Sequence, residues 1–109
     1  MIEALVGSEG AERTLLFIEA RDSGYAREIS ETFGISLSAI QKHLYRMEAG
    51  GLLISQQIGK TRVFSFNPRF PFLVETRSLL RAVLTQLPDQ TKENLLMNRR
   101  RPRRTGKPL

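Results

Sequence analysis

The chain has 109 residues, of which 40% are hydrophobic, and this suits one globular domain of modest size. The absence of cysteine excludes disulfides and thiolate metal sites, and no run approaches the roughly 18 apolar residues that a membrane-spanning helix needs. The net charge of +6 resides in residues 98–109, because residues 1–97 carry eleven cations and eleven acids. The excess positive charge therefore lies in the C-terminal tail, and the net charge is poor evidence that the rest of the chain binds nucleic acid.

The N-terminal part of the chain predicts one capped helix. It runs over about Glu9–Arg21, and Ser8 precedes it as a residue whose hydroxyl can accept a hydrogen bond from the first turn. The apolar block 15–18 inside this helix should be buried on most sides. After a short loop, Tyr25 is predicted to add a strand of one or two residues to a later hairpin.

Residues 26–49 show the pattern of a helix-turn-helix. Apolar residues recur at spacings of three and four in Ala26–Phe33, which predicts a short helix with one buried face. Gly34 follows, where a chain leaving a helix often adopts a left-handed conformation that costs glycine little. Ser36 is a candidate N-cap for a second helix, Leu37–Ala49. The inward stripe of this second helix consists of Ile40, Leu44 and Met47.

The outward face of the second helix is rich in groups that donate hydrogen bonds to bases and phosphates, and it carries no acid. Glutamine can pair through two hydrogen bonds with adenine, lysine and arginine favour guanine or phosphate, and small residues allow close approach. An isolated helix with such a face is ordinarily just solvated, but the turn before it and the hairpin after it favour insertion into a major groove. The residues on this face are Ser38, Ala39, Gln41, Lys42, Tyr45 and Arg46.

The hairpin after the second helix has the composition of a wing. Leu52–Gln57 and Arg62–Phe66 are rich in β-branched and aromatic residues, and the tip 58–61 joins them. Lys60 at the tip and Arg62 beside it are placed to reach a phosphate or an adjacent minor groove. The alternative is an ordinary edge hairpin that its charges protect from pairing with other strands.

A long helix is predicted over Phe72–Leu87, with Pro71 in its first turn. Its apolar stripe is broader than a small domain needs to cover itself, which favours a dimer interface over a purely intramolecular core. Residues 89–97 are predicted to form a short further helical turn, and 98–109 a disordered basic arm that either lies along DNA or is only solvated. The predicted interface comprises Ile2, Leu5 and Val6 together with Leu73, Leu80, Val83 and Leu87.

The predicted fold class is mainly α with a small antiparallel β-hairpin, in the form of a winged helix-turn-helix with a three-helix core and a long C-terminal helix. Residues 1–88 form the winged-helix domain, including the dimerisation helix, and residues 89–109 form a short helical extension and the tail. An N-terminus without a charged-then-apolar leader predicts a cytoplasmic, nucleoid-associated protein.

The stretch 34–68 resembles winged-helix repressors of the ArsR and MarR type. The family pattern of a serine, then a His-Leu pair, an apolar residue and Ala-Gly is met by Ser36, His43-Leu44, Met47 and Ala49-Gly50. The resemblance covers about residues 3–87. Two features depart from the family: Tyr45 stands where Lys or Arg is common, and an extra Gly51 precedes the wing, which predicts a changed tilt of the hairpin.

The resemblance implies a homodimeric regulator that binds double-stranded DNA and represses by occluding a promoter. It implies that Ser36 and Arg46 lie near phosphates, and it leaves the existence of a small-molecule effector open. Neither a cofactor nor a metal nor a membrane is expected as a partner. The base-reading positions implied by the resemblance are Ser38, Ala39, Gln41, Lys42 and Tyr45.

Catalysis is not expected, because the inventory of reactive groups is too small. His43 is the one histidine, no Asp-x-Asp pair could hold Mg²⁺, and no glycine-rich loop precedes a helix in the manner of a phosphate site. Two other classes of function stay open on the sequence: a winged helix that binds a protein partner, and a winged helix that binds RNA with help from the arginine-rich tail.

Overall fold

The computed structural model describes residues 1–95, so the predicted arm at 98–109 lies outside the described residues. The predicted fold class is confirmed: the chain is mainly helical, with one two-stranded antiparallel hairpin. Residues 89–95 are also helical. The elements are α1 (Glu3–Val6), α2 (Glu9–Arg21), α3 (Ala26–Phe33), α4 (Leu37–Ala49), β1 (Leu53–Ile58), β2 (Thr61–Phe66) and α5 (Leu73–Gln86).

Helix α2 is the centre of the core. The Ser8 hydroxyl accepts a hydrogen bond from the Ala11 amide at 3.1 Å, as the sequence predicts for its N-cap. The apolar block 15–18 is fully enclosed, because α3, α4 and α5 all pack against this helix. This arrangement puts the helix-turn-helix on one side of α2 and the long C-terminal helix on the other.

The bounds predicted for α3 and α4 are confirmed. Gly34 ends α3 in the left-handed region with φ 68°, and the Ser36 hydroxyl accepts from the Ala39 amide at 3.3 Å. In the turn the Ser30 hydroxyl donates to the Ile35 carbonyl at 2.5 Å. The angle between the two helices is therefore fixed by local hydrogen bonds as well as by the packing of their buried faces.

The hairpin is joined to the core by Phe64, which is 2% exposed. Its backbone exchanges two hydrogen bonds with Gly24, at 2.8 and 3.0 Å. The short third strand thus forms at Gly24 rather than at the predicted Tyr25. Any Cβ at position 24 would lie 2.8 Å from the ring of Phe17, so only glycine lets the chain pass between that ring and the hairpin.

The hairpin tip is tighter than predicted. Ile58 pairs with Thr61, which leaves a two-residue turn instead of a four-residue tip. The register also pairs Ser55 with Phe64 and Gln57 with Arg62, so these side chains share the inner face of the hairpin. Phe64 packs on the core from this inner face, whereas Arg62, nearer the tip on the same face, is exposed.

Helix α5 begins at Leu73, and Pro71 lies in the turn before it rather than in its first turn. Leu80, Val83 and Leu87 are only 1%, 5% and 5% exposed within the single chain, so these three predicted interface residues are not available to a second copy. Across the same packing surface the buried carboxylate of Glu19 accepts hydrogen bonds from two α5 arginines, Arg77 and Arg81.

Helix α1 was not among the predicted elements. Glu12, which is almost completely buried, accepts hydrogen bonds at 2.9 Å from the amino group of Met1 and from the Ile2 amide. These contacts hold the first residues against α2, where Ile2 and Val6 are half-buried and Leu5 points to solvent. The position of α1 therefore depends on hydrogen bonds to the buried Glu12, a tertiary contact that local sequence patterns do not reveal.

Residues 1–95 contain neither a membrane-spanning helix nor a cluster of metal-binding side chains. None of the helices described there combines the length and apolar character that crossing a bilayer requires. The same part of the chain holds no group of three or more His, Cys, Asp or Glu side chains with the proximity of a metal site.

Candidate nucleic-acid interface

The outward face of α4 is uncovered in the described part of the chain. Lys42 is exposed, and Gln41 is half-buried at the edge of a groove. Among residues 1–95 no acid lines this groove; Glu48, farther along the helix, is half-buried and accepts a hydrogen bond from the Ser55 hydroxyl. Of the remaining predicted site residues on or next to α4, Ser36, Ser38, Tyr45 and Arg46 are exposed, and Ala39 is half-buried.

The groove lies between α4 and the hairpin and has a volume of about 430 Å³. Three cations from three different elements line it: Arg27 from α3, Lys60 from the hairpin turn and Arg62 from β2. Two tyrosines and two glutamines add hydroxyl and amide groups: Tyr25, Tyr45, Gln41 and Gln57. This lining is suited to an anionic, hydrogen-bonding polymer.

Tyr25, Arg27 and Gln57 are absent from the sequence-based prediction of site residues. The signal for Arg27 is its position in the first turn of α3, on the side away from the buried Ile29. The signal for Gln57 is its register opposite Arg62. Neither signal says that the start of α3 faces the hairpin, which only the tertiary packing determines.

Tyr45 supplies part of the groove wall. Its ring lies 6.1 Å from that of Phe64, at an interplanar angle of 53°, and half of its surface is exposed. An aromatic pair in this geometry is favourable beyond the apolar area that it buries. Tyr45 therefore links α4 to the hairpin while presenting a hydroxyl-bearing face to the groove.

A chain of hydrogen bonds ties the hairpin to α4. Arg62 Nη1 donates to the Ser55 hydroxyl at 2.7 Å, and that hydroxyl donates to Glu48 Oε2 at 2.6 Å. At the base of the hairpin, the side-chain amide of Asn67 donates to the Gly51 carbonyl at 2.8 Å. The hydrogen bond from Asn67 thus holds the backbone at Gly51 in place. The hydrogen bonds through Ser55 to Glu48 orient Arg62 relative to α4.

Arg46 lies apart from the groove. Its guanidinium donates to the Val6 carbonyl at 3.3 Å, which places it beside α1 rather than with Lys60 and Arg62. His43 occupies the same side of α4, with its Nε2 3.5 Å from the Ser8 hydroxyl at the start of α2. A Cβ at Gly10 would be 2.8 Å from His43 Nε2, so the ring fits closely over this glycine.

The environment of His43 predicts a pH-dependent stability. Burial, followed by the charge of Arg46, lowers the pKa of His43 below its ordinary value of 6.5. The unfolded chain therefore binds more protons near pH 6, and the contribution of His43 to the free energy of unfolding falls as the pH drops through 6.5. Urea unfolding between about pH 5 and pH 7.5 should show this loss.

The variant His43→Gln is the control for that experiment, since it keeps a polar side chain but cannot titrate. Carboxylates titrate alike in both proteins, so the difference between the two stability profiles isolates the histidine. We expect the wild-type protein to lose more stability on acidification than the variant. Parallel profiles would contradict this interpretation of the His43 environment.

The sequence matches no protein-family model and no curated protein. The fold does resemble solved structures of ZitR from Lactococcus lactis. The apo form of a double variant is 17% identical with a TM-score of 0.50, over 93% of this chain and 83% of that one. A second structure of the double variant is 17% identical with a TM-score of 0.52, over 100% and 81%. At these identities the likeness shows the fold, a winged helix-turn-helix.

Proposed function

We propose that this protein is a sequence-specific double-stranded DNA-binding transcriptional regulator that acts as a homodimer. One observation carries the proposal: the polar face of α4 presents the exposed Lys42 and the half-buried Gln41 beside a groove that, among residues 1–95, three cations and no acid line. In this proposal α4 enters a major groove and reads bases, while the hairpin contacts the phosphate backbone or the adjacent minor groove. Repression follows when the bound dimer occludes a promoter.

The proposed dimer uses apolar side chains that the single chain leaves exposed. Phe72, Val74 and Leu79 are 64%, 75% and 40% exposed on or beside α5, and Leu5 of α1 is 72% exposed. Phe72 and Leu79 stand seven residues apart and therefore lie on one side of the helix. Leu80, Val83 and Leu87 lie in the core, so the apolar side chains left for contact with a second copy are these exposed ones and the half-buried Leu73, Ile2 and Val6.

Selection of bound fragments from a pool of genomic duplexes tests the proposed function. A dimer with two α4 helices should enrich a pseudo-palindromic site whose half-sites are about 10–10.5 base pairs apart. Enrichment of no sequence above the starting pool would contradict sequence-specific binding. Enrichment of one unrepeated half-site would contradict the dimer but leave base reading by α4 intact.

Replacing Lys60 by alanine should weaken binding to all duplexes alike. The lysine lies in the exposed hairpin turn, where a phosphate contact carries no base preference. Titrations at several salt concentrations should show the slope of log K against log salt falling by about one unit for operator and unrelated DNA. Arg69→Ala is the matched control, because Arg69 is exposed but outside the groove, and it should leave the slope unchanged.

A protein-binding winged helix is the second candidate, and the outer face of the hairpin favours it. Ile54 and Ile58 are 44% and 56% exposed there, on the side away from the groove. Binding through these side chains would resist salt, whereas binding of α4 and the groove to DNA would weaken steeply with it. The variant Ile54→Ser should leave DNA affinity unchanged if the proposed DNA-binding role is right.

A further inference from the structure

A cavity of about 370 Å³ lies between the first half of α2, the end of α3 and the helical segment 89–95. Ligand sites in proteins span about 300 to 1,000 Å³, so this size suits a small metabolite. The wall from segment 89–95 is held in place at Leu95, which is 3% exposed. Its carbonyl accepts a hydrogen bond from Arg21 Nη2 at 2.8 Å. The cavity therefore has fixed walls on all three sides.

Arg13, which lines the cavity, carries a donor without a partner in residues 1–95. Its side chain is 20% exposed, and its Nη1 is buried without a hydrogen bond to any described residue. The other terminal nitrogen, Nη2, lies 3.3 Å from Glu9 Oε2, and the guanidinium carbon lies 5.8 Å from the ring centre of Phe33. A buried donor costs free energy unless it is hydrogen-bonded, and guanidinium groups bind carboxylates strongly. The arrangement therefore favours a ligand that brings a carboxylate to Nη1.

Glu9 supplies the opposite charge to the same cavity. Its side chain is 64% exposed, so the carboxylate is accessible from solvent as well as from Arg13. With this one acid and this one cation, the lining that residues 1–95 provide is electrically neutral. A simple anion would be attracted by Arg13 but repelled by Glu9, whereas a ligand with a carboxylate and an ammonium finds an opposite charge for each. Charge complementarity therefore favours a zwitterion.

The rest of the lining combines apolar and polar groups. Phe33 and Ile35 are half-buried and give the cavity an apolar wall. Thr91 and Asn94 add a hydroxyl and an amide from segment 89–95. Asn94 Oδ1 accepts a hydrogen bond from Gln90 Nε2 at 3.1 Å, so its amide nitrogen remains as a donor. A short apolar side chain next to a pair of opposite charges matches this combination.

We propose that the cavity binds a small aliphatic α-amino acid, with the ligand carboxylate on Arg13 Nη1 and the ligand ammonium on Glu9. The apolar side chain of the ligand contacts Phe33 and Ile35. The site shares no residue with the groove between α4 and the hairpin, although it includes the turn between α3 and α4. The inference goes beyond the proposed function and does not depend on it, since no DNA takes part in the binding.

A chemical-shift titration of the isotope-labelled full chain tests the proposal, with leucine as the probe. Two analogues serve as comparisons: isocaproate, which lacks the ammonium of leucine, and isoamylamine, which lacks its carboxylate. We expect saturable binding of leucine with a Kd below about 10 mM, the largest amide shifts at Gly34 and Thr91, and at least about tenfold weaker binding of both analogues. Failure of leucine to saturate, or largest shifts far from the cavity, would overturn the site. An analogue that binds as tightly as leucine would overturn the zwitterion.

Two variants assign the charges. Arg13→Gln should weaken leucine binding about tenfold or more. Glu9→Gln should weaken it about threefold to tenfold and make isocaproate bind at least as well as leucine, because the repulsion of the carboxylate is gone. Glu9 is exposed, so this second variant keeps the test valid even if Arg13→Gln fails to fold.

Glu31→Gln is the matched control, because Glu31 is an exposed acid of α3 outside the cavity, and it should bind leucine like the unchanged protein. Unchanged leucine affinity in the folded Glu9→Gln variant, with leucine still preferred over isocaproate, would refute the role of this acid. The titration contains no DNA, so its failure would leave the proposed function intact. Likewise, a failure to select an operator would leave the leucine result standing.

Discussion

Replacing Phe64 by alanine is expected to lower the free energy of unfolding by about 3–5 kcal/mol. The ring is buried at the junction of hairpin, α4 and core, and it contacts Tyr45 while its backbone pairs with Gly24. Removing the ring leaves a cavity where these parts meet, and the surrounding helices can collapse into it only partly. Urea unfolding followed by circular dichroism measures the loss.

Ile54→Ala is the matched control for the Phe64 prediction. Ile54 belongs to the same hairpin but is half-exposed on its outer face, so its truncation should cost no more than about 1 kcal/mol. A loss for Phe64→Ala as small as that for Ile54→Ala would show that the hairpin does not depend on this side chain for its attachment. A Phe64→Leu variant should recover part of the stability, since it refills much of the volume.

Replacing Gln41 or Lys42 by alanine should each cost about 1–3 kcal/mol of binding free energy at the selected operator, or about 5- to 150-fold in Kd. Both side chains lie on the uncovered side of α4, where they can reach base edges. Anisotropy titrations with operators substituted at single base pairs should show relaxed preference at the positions that each residue reads. Binding to unrelated DNA should change little for Gln41→Ala.

Gln86→Ala is the control for this pair, because Gln86 is an exposed amide near the end of α5 and lines no groove with α4. It should bind the operator like the unchanged protein. If Gln41→Ala and Lys42→Ala also bind the operator normally and keep every base preference, α4 is not the reading helix. The proposed function would then lose its central contact.

Local sequence signals were sufficient for α3 and α4. The glycine at 34 and the serine at 36 form hydrogen bonds with backbone groups within four residues of themselves, so the boundaries follow from neighbouring residues alone. The prediction of a four-residue hairpin tip was wrong because neighbouring residues alone do not decide where these strands end. Ile58 and Thr61 can equally well end a strand or occupy a turn, and their cross-strand pairing decides between the two.

Periodicity identified the apolar side of α5 but not what covers it. Leu80 and Val83 pack on α2 of the same chain, whereas Val74 and Leu79 are left exposed, and all four are equally apolar in the sequence. The groove could not be predicted from local sequence patterns either, because its lining comes from distant parts of the chain. Arg27 stands more than thirty residues before Lys60, and only the folded arrangement of α3 and the hairpin brings both to one cleft.

The hydrogen bonds from Arg62 through Ser55 to Glu48 have a consequence for protein engineering. A chimaera that takes its second helix of the helix-turn-helix from another winged-helix protein would normally exchange every residue of 37–49 and keep the remaining scaffold. Here such a graft would also remove the carboxylate that orients Ser55, and with it the arginine of the hairpin. Transplanted specificity should therefore transfer best when Glu48 is retained in the donor helix.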